Sequence, residues 1–387
     1  MNRKEATVLL SGGALWGMAS FVMASAPILN SISYTELPGW DGDDHHAALA
    51  VFRLSSTEML ERGKAFDRPV AFGGEREDWM PVCEAALKAT AARAFFESAF
   101  TPLAVADPAR PEGLFTGYYE PEAPGSLQET AEFAVPVYRR PPELVGFDEA
   151  AEKQSGLKYG RLTGGKPSPF STRKDIEQGA LRGRGLEIVW LRDWADAFFI
   201  HIQGSGRVRL PDGKYLRLAY AGKNGRSYTG IGGLLVERGA FSREQMSMQS
   251  TRTWMVKHPT EARQLMWENQ SFIFFREVPI DDPSLGAPGA QYVSLTPKRS
   301  LAVDRSIWMF GTPIWLDTAA PSAPDARLEA FRHLMVAQDT GTAIRGHVRG
   351  DVFWGSGDQA AVTAGHMKSP GHMTVLLPKA LAKRLVA

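Results

Sequence analysis

The sequence predicts a mainly β protein with flanking helices, in which one β domain is interrupted by a second. Three observations carry this. The stretch from Val135 to Val236 reads as short strands separated by turn residues. Helical periodicity is concentrated in two blocks, Asp43 to Phe100 and Ser242 to Asn269. From Ser271 the chain is again strand-like to its end. With 387 residues there is material for about two domains, each burying its own core. A composition of 44% hydrophobic and 22% charged residues is that of a globular chain rather than a disordered or fibrous one.

At the N-terminus, Arg3 and Lys4 precede an uncharged stretch from Ala6 to Thr35 that holds Val8-Leu9-Leu10, Ala14-Leu15-Trp16 and Phe21-Val22-Met23. This is the layout of an export signal, with Ala24-Ser25-Ala26 as cleavage site. Pro27 is an awkward residue after such a site, and the run is long enough to cross a bilayer uncleaved. Residues 1–26 are therefore expected to be a signal peptide or a membrane anchor. The expected location is the periplasm, free or membrane-anchored. No cysteine follows the apolar run to carry a lipid and no twin-arginine pair precedes it, so an outer-membrane lipoprotein is not expected.

Asp43 to Phe66 has a helical pattern, with Ser55-x-x-Glu58 reading as a capping box before Met59 and Leu60. A second helix is predicted over Trp79 to Phe100, with Cys83 as a buried thiol. Gly and Pro thicken from Pro102 to Pro124, marking a boundary. Strands follow at Val135 to Tyr138, Leu186 to Leu191, Ala197 to Ile202, Val208 to Leu210 and Tyr215 to Ala219. Pro211-Asp212-Gly213 predicts a hairpin between the last two. A β-barrel or strongly curved sheet fits this pattern best. Helical periodicity over Ser242 to Asn269 is broken at His258-Pro259. The organisation expected is one β domain from residues 27–118 and 245–387, N-terminal helices included, with 119–244 inserted as a second. Binding sites favour the cleft between such units.

A formal net charge of +1 gives no reason to expect nucleic acid as a partner. Cys83 is the only cysteine, and eight histidines form no HExxH pair. Ser369-Pro370-Gly371 between His366 and His372 reads as a turn with no further ligands nearby. No metal and no cofactor are expected. Gly160-x-x-x-x-Gly165-Lys166 imitates a phosphate-binding loop, but Pro167 stands where a hydroxyl must reach magnesium.

The strongest chemical signal is a pair of carboxylates. Asp339 and Asp351 are twelve residues apart, each among apolar and glycine positions. Desolvation there raises a carboxyl pKa, and a second carboxylate raises one member further. Equally, both could accept backbone hydrogen bonds in turns beside Gly341 and Gly350. Asp339-Thr340-Gly341-Thr342 imitates an aspartic protease signature. The required second D-[ST]-G is missing; Asp317-Thr318-Ala319 lacks the glycine.

Several blocks together resemble the lytic murein transglycosylase A family, whose C-terminal part contains a 3D domain named for three aspartates. Ser300-Leu301-Ala302-Val303-Asp304-Arg305-Ser306 with Phe310-Gly311-Thr312-Pro313 is similar to the first aspartate segment. Ala337-Gln338-Asp339-Thr340-Gly341 is similar to the second and Gly350-Asp351-Val352-Phe353 to the third. Thr116-Gly117-Tyr118-Tyr119-Glu120-Pro121 resembles the entry into the family's other domain. Phe199-Ile200-His201-Ile202-Gln203-Gly204-Ser205-Gly206 and Tyr220-Ala221-Gly222-Lys223-Asn224-Gly225 resemble that domain's blocks.

The resemblance implies a double-psi β-barrel domain, an inserted second β-barrel domain, and a groove between them for a peptidoglycan strand. It implies a carbon–oxygen lyase, a lytic exotransglycosylase cutting the β-1,4 bond from N-acetylmuramic acid to N-acetylglucosamine without water. Asp351 would serve as acid and then base, leaving 1,6-anhydro ends. Asp339 would orient or tune it, and Asp304 would support the barrel or contact substrate. Thr116, Tyr118, Gln203, Gly204, Ser205 and Asn224 would contact the glycan, although packing and tight bends also account for such residues in β-rich folds. The partners implied are glycan strands and other cell-wall enzymes. Two other readings stay open: an inverting glycoside hydrolase using Asp351 with Asp339, and a non-catalytic, expansin-like wall binder.

Overall fold

The computed structural model describes residues 27–108, 110–243, 245–322 and 327–386; the expected signal or anchor lies outside them. Among the described residues no helix is long and apolar enough to cross a membrane.

Six strands close into a ring. They are β1 (Gly113–Glu120), β2 (Ser300–Val303), β3 (Pro313–Ser322), β4 (Arg327–Asp339), β5 (Arg349–Ser356) and β6 (Lys368–Pro378). Around the ring the order is β6, β3, β4, β2, β5, β1 and back to β6. Pairing is antiparallel except for β2 with β4 and β1 with β5, which run parallel. Every strand therefore has two neighbours and closure leaves no free edge within the ring. Leu301, Val303, Leu334, Val336 and Val352 are fully buried in the largest core.

Helices His45–Glu61, Arg76–Lys88 and Ala92–Ala99 cover this barrel, bringing Phe52, Trp79 and Phe96 into the same core. Each such side chain contributes about 1.5–3 kcal/mol of burial. Cys83 is buried there as expected. The single helix expected over 79–100 is two, parted at residues 89–91. The Ser55-x-x-Glu58 capping box is overturned. Asp44 caps the first helix by accepting from the Ala47 N–H at 3.0 Å, and Ser55 lies mid-helix with its hydroxyl buried.

The inserted unit is a second six-stranded sheet: Ile273–Val278, Tyr215–Lys223, Ser205–Arg209, Glu122–Ser126, Glu187–Leu191 and Val135–Tyr138, in that order. A bridge between Arg139 and Phe275 joins its two ends. The predicted hairpin at Pro211-Asp212-Gly213 is present. The expected strand at Ala197 to Ile202 is instead the helix Trp194–Gln203, capped by Asp193, which accepts from the Asp196 N–H at 2.8 Å. It is apolar on both sides because Ala197 and Ile200 pack on the sheet while Phe198 and Phe199 pack on the helices Ile231–Glu237, Met248–Lys257 and Pro259–Glu268. Burial all round erases the amphipathic period that separates helix from strand.

Ile273–Val278 pairs with Tyr215–Lys223, so the inserted unit continues well past residue 244 and the chain rejoins the first barrel only at β2. Ser369-Pro370-Gly371 is not a turn but part of β6, and the C-terminal region also contains helices Gly357–His366 and Lys379–Leu385. Gly164 and Gly165, with φ of 58° and 77°, make the two-residue turn of an ordinary hairpin, which removes the phosphate-loop imitation.

Candidate active site

β2 is the centre of the site. Ala302 lies opposite Asp351 across the antiparallel pair with β5 and opposite Asp339 across the parallel pair with β4. Two strand spacings put the aspartate backbones about 10 Å apart. Successive residues on β5 and β1 alternate faces: Phe115 and Val352 enter the core, while Thr116, Tyr118, Asp351 and Phe353 share the opposite face. Ala302, on the strand between those of Asp351 and Asp339, contributes only a methyl group. Gly350 is required by crowding on the core side, where an added Cβ would meet Leu301 at 2.9 Å and Phe115 at 3.1 Å.

Among the described residues Asp351 has one direct partner, the Thr116 hydroxyl, which donates to Oδ1 at 2.6 Å. Arg349 Nη2 in turn donates to Thr116 Oγ1 at 2.8 Å. Burial pushes the Asp351 carboxyl up to about 6; Arg349 and the Thr116 hydroxyl pull against that, and Asp339 adds to it. Asp339 is also raised by burial, but its oxygens are occupied. The Tyr118 hydroxyl donates to Oδ2 at 2.9 Å, and the Ala290 and Thr340 N–H groups donate to Oδ1 at 3.0 and 2.9 Å. Tyr118 is held well above the usual phenol range by burial and by Asp339, so it stays a donor, and its ring packs 5.3 Å from Phe353.

Asp304 is 4% exposed and does not join this pair. It accepts from the Ser306 hydroxyl at 2.6 Å, the Gly346 N–H at 3.1 Å and Arg345 at 3.3 Å. Burial raises its carboxyl, yet these donors outweigh burial and hold it below the ordinary value. It ties the turn after β2 to the loop before β5.

Gln203 ends the helix Trp194–Gln203 and accepts from the Tyr119 N–H at 3.2 Å, so it touches β1 next to Tyr118. Gly204 is that helix's left-handed cap, φ 80°, and Ser205 opens the next strand; both remain partly exposed. Asn224 departs from the expectation. It is 1% exposed, donates to the Ser171 and Gln270 carbonyls at 2.9 Å each, and accepts from the Phe272 N–H at 2.9 Å. Its amide is spent on backbone, so it clamps the fold and presents nothing to a ligand.

Sequence reasoning missed two features. One is the layer behind Asp339. Ser55 donates to Gln291 Oε1 at 2.8 Å, Gln338 Nε2 donates to Ser55 Oγ at 2.9 Å, and the Gln291 N–H donates to the Gln338 carbonyl at 3.1 Å. This network fixes the residues on either side of the Ala290–Asp339 bond. The other is the joint between barrels. Glu120, wholly buried at the end of β1, accepts from Arg207 Nε at 2.8 Å and Ser356 at 2.9 Å and lies 3.0 Å from Arg217. The Gly-Tyr-Tyr-Glu run offered a signal for Glu120; its partners are distant in sequence. Among the described residues, no group of three or more His, Cys, Asp or Glu side chains is placed to hold a metal ion.

Residues 114–276 match the MltA specific insert domain and residues 299–377 the 3D domain. The crystal structure of a membrane-bound lytic murein transglycosylase from Agrobacterium tumefaciens is 36% identical, covers 92% of this chain and 99% of its own, and superposes with a TM-score of 0.82. The chain belongs to the MltA family. The match to the insert domain ends within the strand Ile273–Val278, in agreement with the sheet pairing. Membrane-bound lytic murein transglycosylase A of Vibrio cholerae is 35% identical over 67% of this chain. The chain spans 64% of that relative's length. The structure of MltA from Escherichia coli with bound chitohexaose is 27% identical, covers 85% of this chain and 90% of its own, and has a TM-score of 0.63.

Proposed function

We propose that this MltA-family chain cleaves the β-1,4 bond from N-acetylmuramic acid to N-acetylglucosamine in peptidoglycan without water, leaving 1,6-anhydromuramic ends. The glycan lies in the groove between the two barrels, the ring of β1–β6 being of double-psi type, and the protein works in the periplasm. The relative that carries chitohexaose supports a glycan in the groove. The single observation behind the mechanism is the Asp351 carboxyl, pushed up to about 6 by burial with one hydroxyl partner. A group with a pKa in that range is available both as acid and, after giving up its proton, as base.

In the first step Asp351 gives its proton to the glycosidic oxygen as the bond from that oxygen to C1 breaks. In the second it takes the proton of the muramoyl C6 hydroxyl as that oxygen bonds to C1. Asp351 ends protonated, ready for another turn, and no water is consumed. Asp339 raises the Asp351 pKa and holds Tyr118. Its oxygens already accept three hydrogen bonds, which makes it a poor base for water.

One observation favours a second reading. Asp351 and Asp339 flank Ala302 on the same register, and side chains reaching from backbones about 10 Å apart fit the roughly 6.5–9.5 Å carboxyl separation of inverting hydrolases. Digestion of purified sacculi separates the two. Soluble muropeptides lighter by one water support the transglycosylase; reducing ends establish a hydrolase. Binding of sacculi with no soluble product would point to a wall-binding protein.

A further inference from the structure

Beside Asp339 the groove continues into a recess of 190 Å³ lined by Ala290, Tyr292, Arg305, Arg68, Trp308 and neighbouring residues. Ala290 is the residue whose N–H holds Asp339, so the recess adjoins the site directly. Its lip is Tyr292, 55% exposed and held at φ 67°, a left-handed backbone rare for an aromatic residue. The turn is pinned by the Gly289 N–H to the Val293 carbonyl at 2.9 Å and by the Gln291 bond to β4. Strain of this kind, where the surroundings enforce it, clusters at ligand-holding positions.

The recess is basic. Lys64 is committed to Asp67 at 3.0 Å and Arg345 to Asp304 at 3.3 Å. That leaves Arg68 and Arg305 in excess on this wall. Arg68 donates to the Arg305 backbone carbonyl, and among the described residues no carboxylate lies within 4 Å of the guanidinium of either. Cations gathered in a partly desolvated space without counter-ions are unfavourable unless an anion completes them.

The acetylated sugars of a murein strand are neutral, and its carboxylates are on the peptide attached to the muramoyl residue. We propose that the recess formed by Arg305, Arg68 and Tyr292 binds a carboxylate of that stem peptide and so makes the enzyme prefer peptide-bearing strands. This rests on the function proposed above and adds to it a second recognition element beyond the sugars. Guanidinium groups suit a carboxylate because they present paired donors in one plane.

The test uses the full chain and three substrates: strands bearing stem peptides, the same strands with the peptides removed, and strands whose stem carboxylates are amidated. The parent is expected to show kcat/KM about five- to tenfold higher for the first than for the other two, carried by KM. In Arg305→Gln and separately in Arg68→Gln that preference collapses toward one, while Arg305→Lys retains most of it. Equal cleavage of all three substrates by the parent overturns the proposal, as does an undiminished preference in both glutamine variants. Calorimetric binding of a free stem tetrapeptide against its amidated form supplies a readout independent of cleavage. If the parent releases nothing from any strand, the proposed function fails, and the calorimetry still decides the peptide site: tighter binding of the free acid supports it and equal binding overturns it.

Discussion

The β1–β5 ladder carries two acids, half-buried Asp351 and wholly buried Glu120, and they are treated in opposite ways. At one end, among the described residues, Asp351 accepts from a single hydroxyl, and Arg349 is hydrogen-bonded to that hydroxyl's oxygen while its charge acts on the carboxyl. At the other, Glu120 is surrounded by Arg207, Arg217 and Ser356, and the two guanidiniums also bind the Leu285 carbonyl. Desolvation thus raises a carboxyl where partners are withheld, and a carboxyl still more deeply buried becomes a domain joint where they are supplied. Desolvation is similar in kind at both ends; compensation differs.

Asp351→Asn should have the largest effect, a loss of lytic rate of about 10³-fold or more, because in the proposed mechanism one group performs both proton transfers. The same change should stabilise the protein at pH 7. The folded pKa, about 6, is above the ordinary 3.8, so the carboxyl contributes its stability below pH 4 and loses it as pH rises through 6. Relief of about 1–2 kcal/mol at pH 7, absent at pH 4, would appear in paired thermal melts. A variant less stable than the parent at pH 7 would contradict the withheld-partner account.

Glu120→Gln strikes the opposite end and should cost about 3 kcal/mol in urea unfolding, since two buried guanidiniums lose their counter-charge. An unchanged midpoint would show that the joint contributes nothing to stability. Asp304→Asn should cost about 1–2 kcal/mol at pH 7 by weakening the tie between two loops. Because that carboxyl is held below 3.8, the stability it contributes is present above the ordinary pKa and lost as pH falls through the folded value, so parent and variant should converge in acid. The smallest effect is a shift of profile. Arg349→Gln and Thr116→Val each remove something that lowers the Asp351 pKa, so the basic limb of kcat/KM should move to higher pH in both. Movement to lower pH would reverse the assigned electrostatics.

Much of the fold was legible because its signals were local. The Pro211-Asp212-Gly213 hairpin, the break at His258-Pro259 and the first helix all rest on short-range turn chemistry or periodicity. The failures are equally physical. The helix Trp194–Gln203 is buried on both sides and so carries no amphipathic stripe. Ser55 matched a capping pattern, yet its hydroxyl serves Gln291 and Gln338 from far along the chain. Asn224 fell in a block that resembles the family's inserted domain and proved to be a backbone clamp.

By itself the sequence determined the β-rich class with an inserted unit, the family, and the three aspartates, since composition, turn residues and motif order are properties of neighbours in the chain. Only the tertiary structure decided how those aspartates divide. Ala302 brings Asp339 and Asp351 onto one register; Tyr118, Ala290 and Thr340 occupy Asp339; Ser306, Gly346 and Arg345 occupy Asp304. Asp351 is left with a single hydroxyl partner. A carboxyl's proton affinity is set by which donors surround it, and those donors come from strands and loops that only closure of the barrel brings together.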